Sequence, residues 1–129
     1  MTKLIHTMVR VSNLTESINF YRAALVLDIK DQYVFDDFTL TYLANPQTSF
    51  ELELTYNHNQ SEQYPHGNGH IAVSVEDIEQ AHQRMTSLNI EASEIKTLVH
   101  NQIPLATFFF ITDPDGHKIE FLQRQGRYL

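Results

Sequence analysis

Ser49-Phe-Glu-Leu-Glu-Leu-Thr-Tyr-Asn57 is the stretch from which the fold can be read. Phe50, Leu52, Leu54 and Tyr56 occupy alternate positions, the period of a half-buried β-strand. The opposite face then carries Glu51, Glu53, Thr55 and Asn57. Two carboxylates on one strand face repel, and glutamate is a poor strand former, a cost of under about 1 kcal/mol at a surface. A strand that lines a cavity tolerates such a pair when a cation or a substrate uses the charge. The rest of the chain is read for that cation.

The 129 residues make one compact unit or two half-domains, with 8 Phe and 6 Tyr to fill an interior. The net charge of −7 and the lack of a basic cluster argue against nucleic acid and disfavour anionic membranes. With no cysteine, thiolate metal sites, disulfides and a thiol nucleophile are excluded, so any metal ligands are His, Asp or Glu. No secretory leader and no apolar run of about 18 residues occurs, so a cytoplasmic location is expected.

Outward from residues 49–57, the pattern is a duplication. Residues 3–11 read as a strand with His6, Met8 and Arg10 on one face. Asn13 and Glu16 have capping-box spacing before a helical stripe of Leu14, Ile18, Tyr21 and Leu25. Residues 26–36 and 38–44 read as a hairpin turning at Asp36-Asp37, and 58–68 as a polar connection. Gly69 to Val75 is again a strand, with His70 on the face of Ala72 and Ser74. Glu76-Asp77 caps a helix with Ile78, Ala81, Met85 and Leu88 on its apolar side, ended by Asn89. A strand near 90–97, a polar loop near 98–103, strands at 105–112 and 117–123 and a loose tail complete the expectation. Asp113-Pro-Asp-Gly116 is the turn before the last strand.

The copies superpose in sequence. His6-x-x-Val9-x-Val11-x-x-Leu14 matches His70-x-x-Val73-x-Val75-x-x-Ile78, and Leu52-Glu53-Leu54 matches Ile119-Glu120-Phe121. The expected fold is α+β: two βαβββ repeats, about 3–57 and 69–123, in a single domain over 1–129, forming a curved sheet around a metal site. Packed about a pseudo-twofold, His6, Glu53, His70 and Glu120 converge in pairs. Two imidazoles and two carboxylates suit a divalent ion with about six ligands, so nickel, cobalt, manganese and zinc all qualify, zinc slightly less well. A lone strand histidine is more often structural, and that reading is kept for His58, His66, His82, His100 and His117. Glu51 reads as a solvated charge.

His6-Thr-Met-Val-Arg-Val, Asn13-Leu14 to Phe20-Tyr21, Glu53-Leu-Thr-Tyr-Asn57, Gly69-His-Ile-Ala-Val and Asp113-Pro-Asp-Gly-His-Lys-Ile-Glu120 together resemble glyoxalase I (lactoylglutathione lyase) of the vicinal oxygen chelate superfamily. The resemblance spans residues 4–122. It implies His6, Glu53, His70 and Glu120 as metal ligands, nickel or cobalt as the favoured ion, and a homodimer with sites at the subunit interface. It implies glutathione as co-substrate, its hemithioacetal with methylglyoxal isomerised to S-D-lactoylglutathione, with Glu120 or Glu53 as base, Glu120 favoured. Arg10 and Asn57 match positions that hold the γ-glutamyl end of glutathione; for Arg10 a surface ion pair is the equal alternative. Two departures stand out. Ala24-Leu-Val-Leu-Asp28 replaces a Leu-Gly after the first helix, and Leu98 to Pro104 lacks the Lys and glycines found near the glycyl carboxylate. Other superfamily chemistries compete: an acyl-CoA epimerase with a similar ligand set, fosfomycin-modifying enzymes and extradiol dioxygenases with two His and one carboxylate, or a metal-free resistance-type binding protein. The second carboxylate, Glu53, argues against the two-His-one-carboxylate group, and the polar residues at 6, 53, 70 and 120 argue against the binding protein.

Overall fold

A computed structural model describes residues 1–59 and 67–129, so most of the expected 58–68 connection lies outside the described residues. The chain divides into two units, Met1–His66 and Gly67–Leu129. Each is a βαβββ module.

The first unit contains β1 (His6–Val11), α1 (Leu14–Leu25), β2 (Asp28–Val34), β3 (Phe38–Ala44) and β4 (Glu51–Asn57). Its sheet has the order β1-β4-β3-β2. Strands β1 and β4 are parallel, and the other neighbours are antiparallel. The second unit repeats this with β5 (His70–Val75), α2 (Ile78–Ser87), β6 (Lys96–His100), β7 (Ile103–Thr112) and β8 (Lys118–Gln123), in the order β5-β8-β7-β6.

Local chemistry starts and stops the helices. The Asn13 side chain accepts from the Glu16 amide at 3.0 Å, and Asp77 does the same for Gln80 at 3.0 Å. Tyr21 and Ala24 are fully buried on α1, with Ser17 beside them. Of the expected stripe of Leu14, Ile18, Tyr21 and Leu25, Tyr21 is buried and the other three are half-buried; Ser17 and Ala24 complete the buried face. On α2 the buried face is Ile78, Ala81 and Met85, as the pattern predicts, while Leu88, the fourth expected position, is exposed at the C-cap. Gln123 ties α2 to its sheet, accepting from the Ile78 amide at 3.0 Å and donating to the Glu76 carbonyl.

The structure corrects four local expectations. Strand β4 is internal to its sheet, so Glu53 and Thr55 are buried together with Leu52 and Leu54, and only its ends are half-exposed. No strand forms over 90–95; β6 begins at Lys96 instead. The expected loop at 98–103 is a tight hairpin turning at Asn101 and Gln102, whose φ values are 49° and 67°. Two consecutive left-handed residues make a primed hairpin turn, and Asn-Gln without glycine is a weak signal for it. The tail is anchored at its start: the Arg124 amide donates to the Val75 carbonyl at 2.8 Å and Arg124 Nε to Ser74 Oγ at 3.1 Å.

Val26 caps α1 at φ 56°, ψ 40°, the left-handed region, and its side chain is exposed. A β-branched residue there carries a steric cost of about 1–2 kcal/mol that glycine avoids. Val26→Gly is expected to raise the unfolding free energy by about 1 kcal/mol after the added chain entropy of glycine, seen as a higher urea midpoint. An unchanged or lowered midpoint would show that Val26 is not strained.

Candidate functional site

Parallel pairing sets the geometry of both halves. In β1 and β4 the register aligns His6 with Glu51, Met8 with Glu53 and Arg10 with Thr55. Aligned residues of a parallel pair share a sheet face, and so do residues two apart. His6 and Glu53 therefore meet on a diagonal, with Nε2 to Oε2 at 3.1 Å. In β5 and β8 the register aligns His70 with Lys118 and Ala72 with Glu120, which is the same diagonal. There His70 Nε2 lies 3.4 Å from Glu120 Oε1. Each pair is only partly shielded, the histidines at 35% and 45% and the glutamates at 11% and 17% side-chain exposure.

These spacings suit a metal. Two donors about 2.1 Å from one ion and at right angles to each other stand about 3.0 Å apart. The atoms are nitrogen and carboxylate oxygen, the set that nickel, cobalt, zinc and manganese accept. Among the described residues no group of three His, Asp or Glu side chains able to hold a metal forms, so each pair supplies two donors and no more.

Other side chains complete each face. The Tyr42 phenol hydrogen-bonds the Glu53 carboxyl, and that bond, reinforced by burial, raises the phenol's pKa above its usual value. Thr55 Oγ1 donates to Glu53 Oε1 at 3.2 Å. The Tyr42 ring meets His6 edge-on at 5.8 Å. Neither Tyr42 nor Thr55 was singled out from sequence; Tyr42 alternates with Phe38 and Leu40, the pattern of a core residue, and only its pairing with Glu53 gives it a task. Farther along the same face Arg10 Nη1 donates to Asn57 Oδ1 at 3.1 Å, so these two sequence candidates are also brought together.

Glu51 is not the solvated charge expected. Its Oε2 is buried, lies 3.2 Å from Lys30 Nζ, and lacks a well-aligned hydrogen bond. His58 keeps its structural role: Nδ1 donates to the Asp36 carbonyl at 2.9 Å, leaving Nε2 to accept from Thr39 Oγ1 at 2.8 Å. In the second unit a cavity of about 450 Å³ opens beside His70, lined also by Phe110, Glu91 and Lys118. That volume is within the usual range for small-molecule sites.

If both pairs bind one ion, His6→Ala and His70→Ala each weaken cobalt binding by about tenfold or more, measured by competition with a chromophoric chelator. Unaltered affinity in either variant would remove that histidine from the site.

Residues 3–121 match the model of the Glyoxalase/Bleomycin resistance protein/Dioxygenase superfamily. A lactoylglutathione lyase of Neisseria meningitidis is 38% identical over 134 residues, covering 96% of this chain and 92% of that protein. One of Haemophilus influenzae is 32% identical, covering 96% of this chain and 94% of that protein. Among solved structures, a trypanothione-dependent glyoxalase I of Leishmania major is 32% identical, with a TM-score of 0.73 over 95% of this chain and 87% of that one. Sequence, architecture and relatives agree: the chain belongs to the lactoylglutathione lyase (glyoxalase I) family within that superfamily.

Proposed function

We propose that the chain isomerises the hemithioacetal of methylglyoxal and glutathione to S-D-lactoylglutathione, using one divalent ion held by His6, Glu53, His70 and Glu120. The observation that carries this reading is the identical His–Glu diagonal in both modules, at 3.1 and 3.4 Å. One pair comes from each kind of unit, from one chain or from the two chains of a homodimer; nickel or cobalt is favoured over zinc or manganese. When bound, the ion supplies Lewis-acid polarisation of the two vicinal oxygens of the substrate.

The side chains do the rest. Glu120 takes the proton from C1, leaving an enediolate, and returns it to C2. The C1–H bond breaks, a C2–H bond forms, and the hemithioacetal becomes a thioester with no change in net oxidation. Arg10, steadied by Asn57, offers its guanidinium to the γ-glutamyl carboxylate. Arg10 is four residues along β1 from His6, about 13 Å, and an extended tripeptide spans about 10 Å, so a glutathione-sized thiol fits that reach. Lys118, beside His70 in the cavity lining, offers the fixed positive charge that segment 98–104 lacks. The protein acts in the cytoplasm as a soluble enzyme on a small molecule.

Glu53→Gln and Glu120→Gln are each expected to lower turnover of the hemithioacetal by more than about 100-fold, because each removes an anionic ligand and one removes the base. Glu51→Gln, whose carboxylate is tied to Lys30, should keep wild-type turnover. The assay follows thioester absorbance with nickel, cobalt or zinc added. Metal binding without turnover of this substrate would point to another superfamily reaction, such as proton transfer beside an acyl-CoA carbonyl.

A further inference from the structure

The two His–Glu pairs share a register, but their surroundings differ. Across from Glu53, on β3, stands Tyr42; across from Glu120, on β7, stands Phe110. Both rings meet the histidine of their pair edge-on, at 5.8 Å for His6–Tyr42 and 5.5 Å for His70–Phe110. The rings match except for one hydroxyl, and that hydroxyl is bonded to Glu53. A second contrast follows two residues along. Thr55 donates to Glu53 Oε1, whereas Leu122 holds the corresponding place after Glu120. Among the described residues no hydroxyl donates to Glu120; its polar neighbour is His70.

We propose that Tyr42, aided by Thr55, is a positioning residue: it pins Glu53 as the stationary carboxylate of the site and so leaves the proton-carrying task to Glu120, which Phe110 leaves untethered. The inference rests on the reading that both pairs serve one ion. Its physical basis is simple. A carboxylate that accepts two hydroxyl hydrogen bonds is restrained in direction. A base that must swing to a carbon and back needs neither bond. The pseudosymmetry of the modules would otherwise give both glutamates the same work.

Tyr42→Phe and Phe110→Tyr test this, since both keep the ring and its packing. Three readouts are taken: cobalt affinity, the visible absorption of the cobalt-loaded protein, and kcat separately from KM. Tyr42→Phe is expected to weaken cobalt binding about tenfold and to alter the cobalt spectrum. Phe110→Tyr is expected to leave cobalt affinity at or above wild type while lowering kcat at least about tenfold, with KM little changed. A Tyr42→Phe protein with wild-type affinity and spectrum, or a Phe110→Tyr protein with wild-type kcat, overturns the inference. Glu53→Gln and His70→Ala separate the two levels. If these still weaken cobalt binding while Tyr42→Phe does not, only the role of Tyr42 falls. If they bind cobalt like wild type, the shared site falls and the inference with it.

Discussion

Parallel pairing of the first and last strands of each module is the constraint on which the rest depends. It places residue i of one strand and residue i+2 of its neighbour on the same face, within reach of each other. In β1/β4 those positions hold His6 and Glu53, and in β5/β8 His70 and Glu120. A slip of one residue would turn either glutamate to the opposite face. What prevents it is the apolar side of the same strands: Val9, Val11, Leu52 and Leu54 in one module, Ile119 and Phe121 in the other, all buried. Each such side chain contributes about 1.5–3 kcal/mol by leaving water. Crowding carboxylates on one strand face costs under about 1 kcal/mol, so the register that serves packing also forces the charged side chains together.

Burial of Glu53 then needs local compensation. A half-shielded carboxylate beside a second one is costly unless hydrogen bonds or a cation meet it. Tyr42 and Thr55 supply the hydrogen bonds, and Lys30 meets Glu51. The second module shows a looser arrangement around Glu120, with Phe110 and Leu122 in the corresponding places. Duplication gave both modules one backbone plan; side-chain divergence on the neighbouring strands gives each carboxylate its own surroundings.

Much of this was legible in the chain itself. The repeated His and Glu and the turn at Asp113–Gly116 each express one local rule, and both are realised; Gly116 takes φ 89°, and Asp113 accepts from the amides of Asp115 and His117 at 2.9 and 2.8 Å. The alternation at 50–56 marks the strand but not its burial: Phe50 lies outside β4 and is exposed, while Glu53 and Thr55 are buried. Strand period put Arg10 on the His6 face and Asn57 on the Glu53 face, but their hydrogen bond shows only in the structure. The second hairpin was not legible. Residues 96–100 are exposed throughout, so they carry no burial alternation, and the turn lacks glycine. Tyr42 was hidden for another reason: its partner lies on a neighbouring strand, and no spacing along the chain reports which residues a register will align. The partner of Glu51 is not legible either, because Lys30 comes from a bulged part of β2, where no strand period holds.

In the proposed function the two His–Glu diagonals serve one ion. Diffraction from crystals grown with nickel, recorded on both sides of the nickel absorption edge, tests it most directly. The account predicts one anomalous peak per chain, bonded at about 2.0–2.2 Å to two imidazole nitrogens and two carboxylate oxygens, those of His6, Glu53, His70 and Glu120. A nickel ion bound by one pair alone, or bound elsewhere with these four side chains left out, would contradict it.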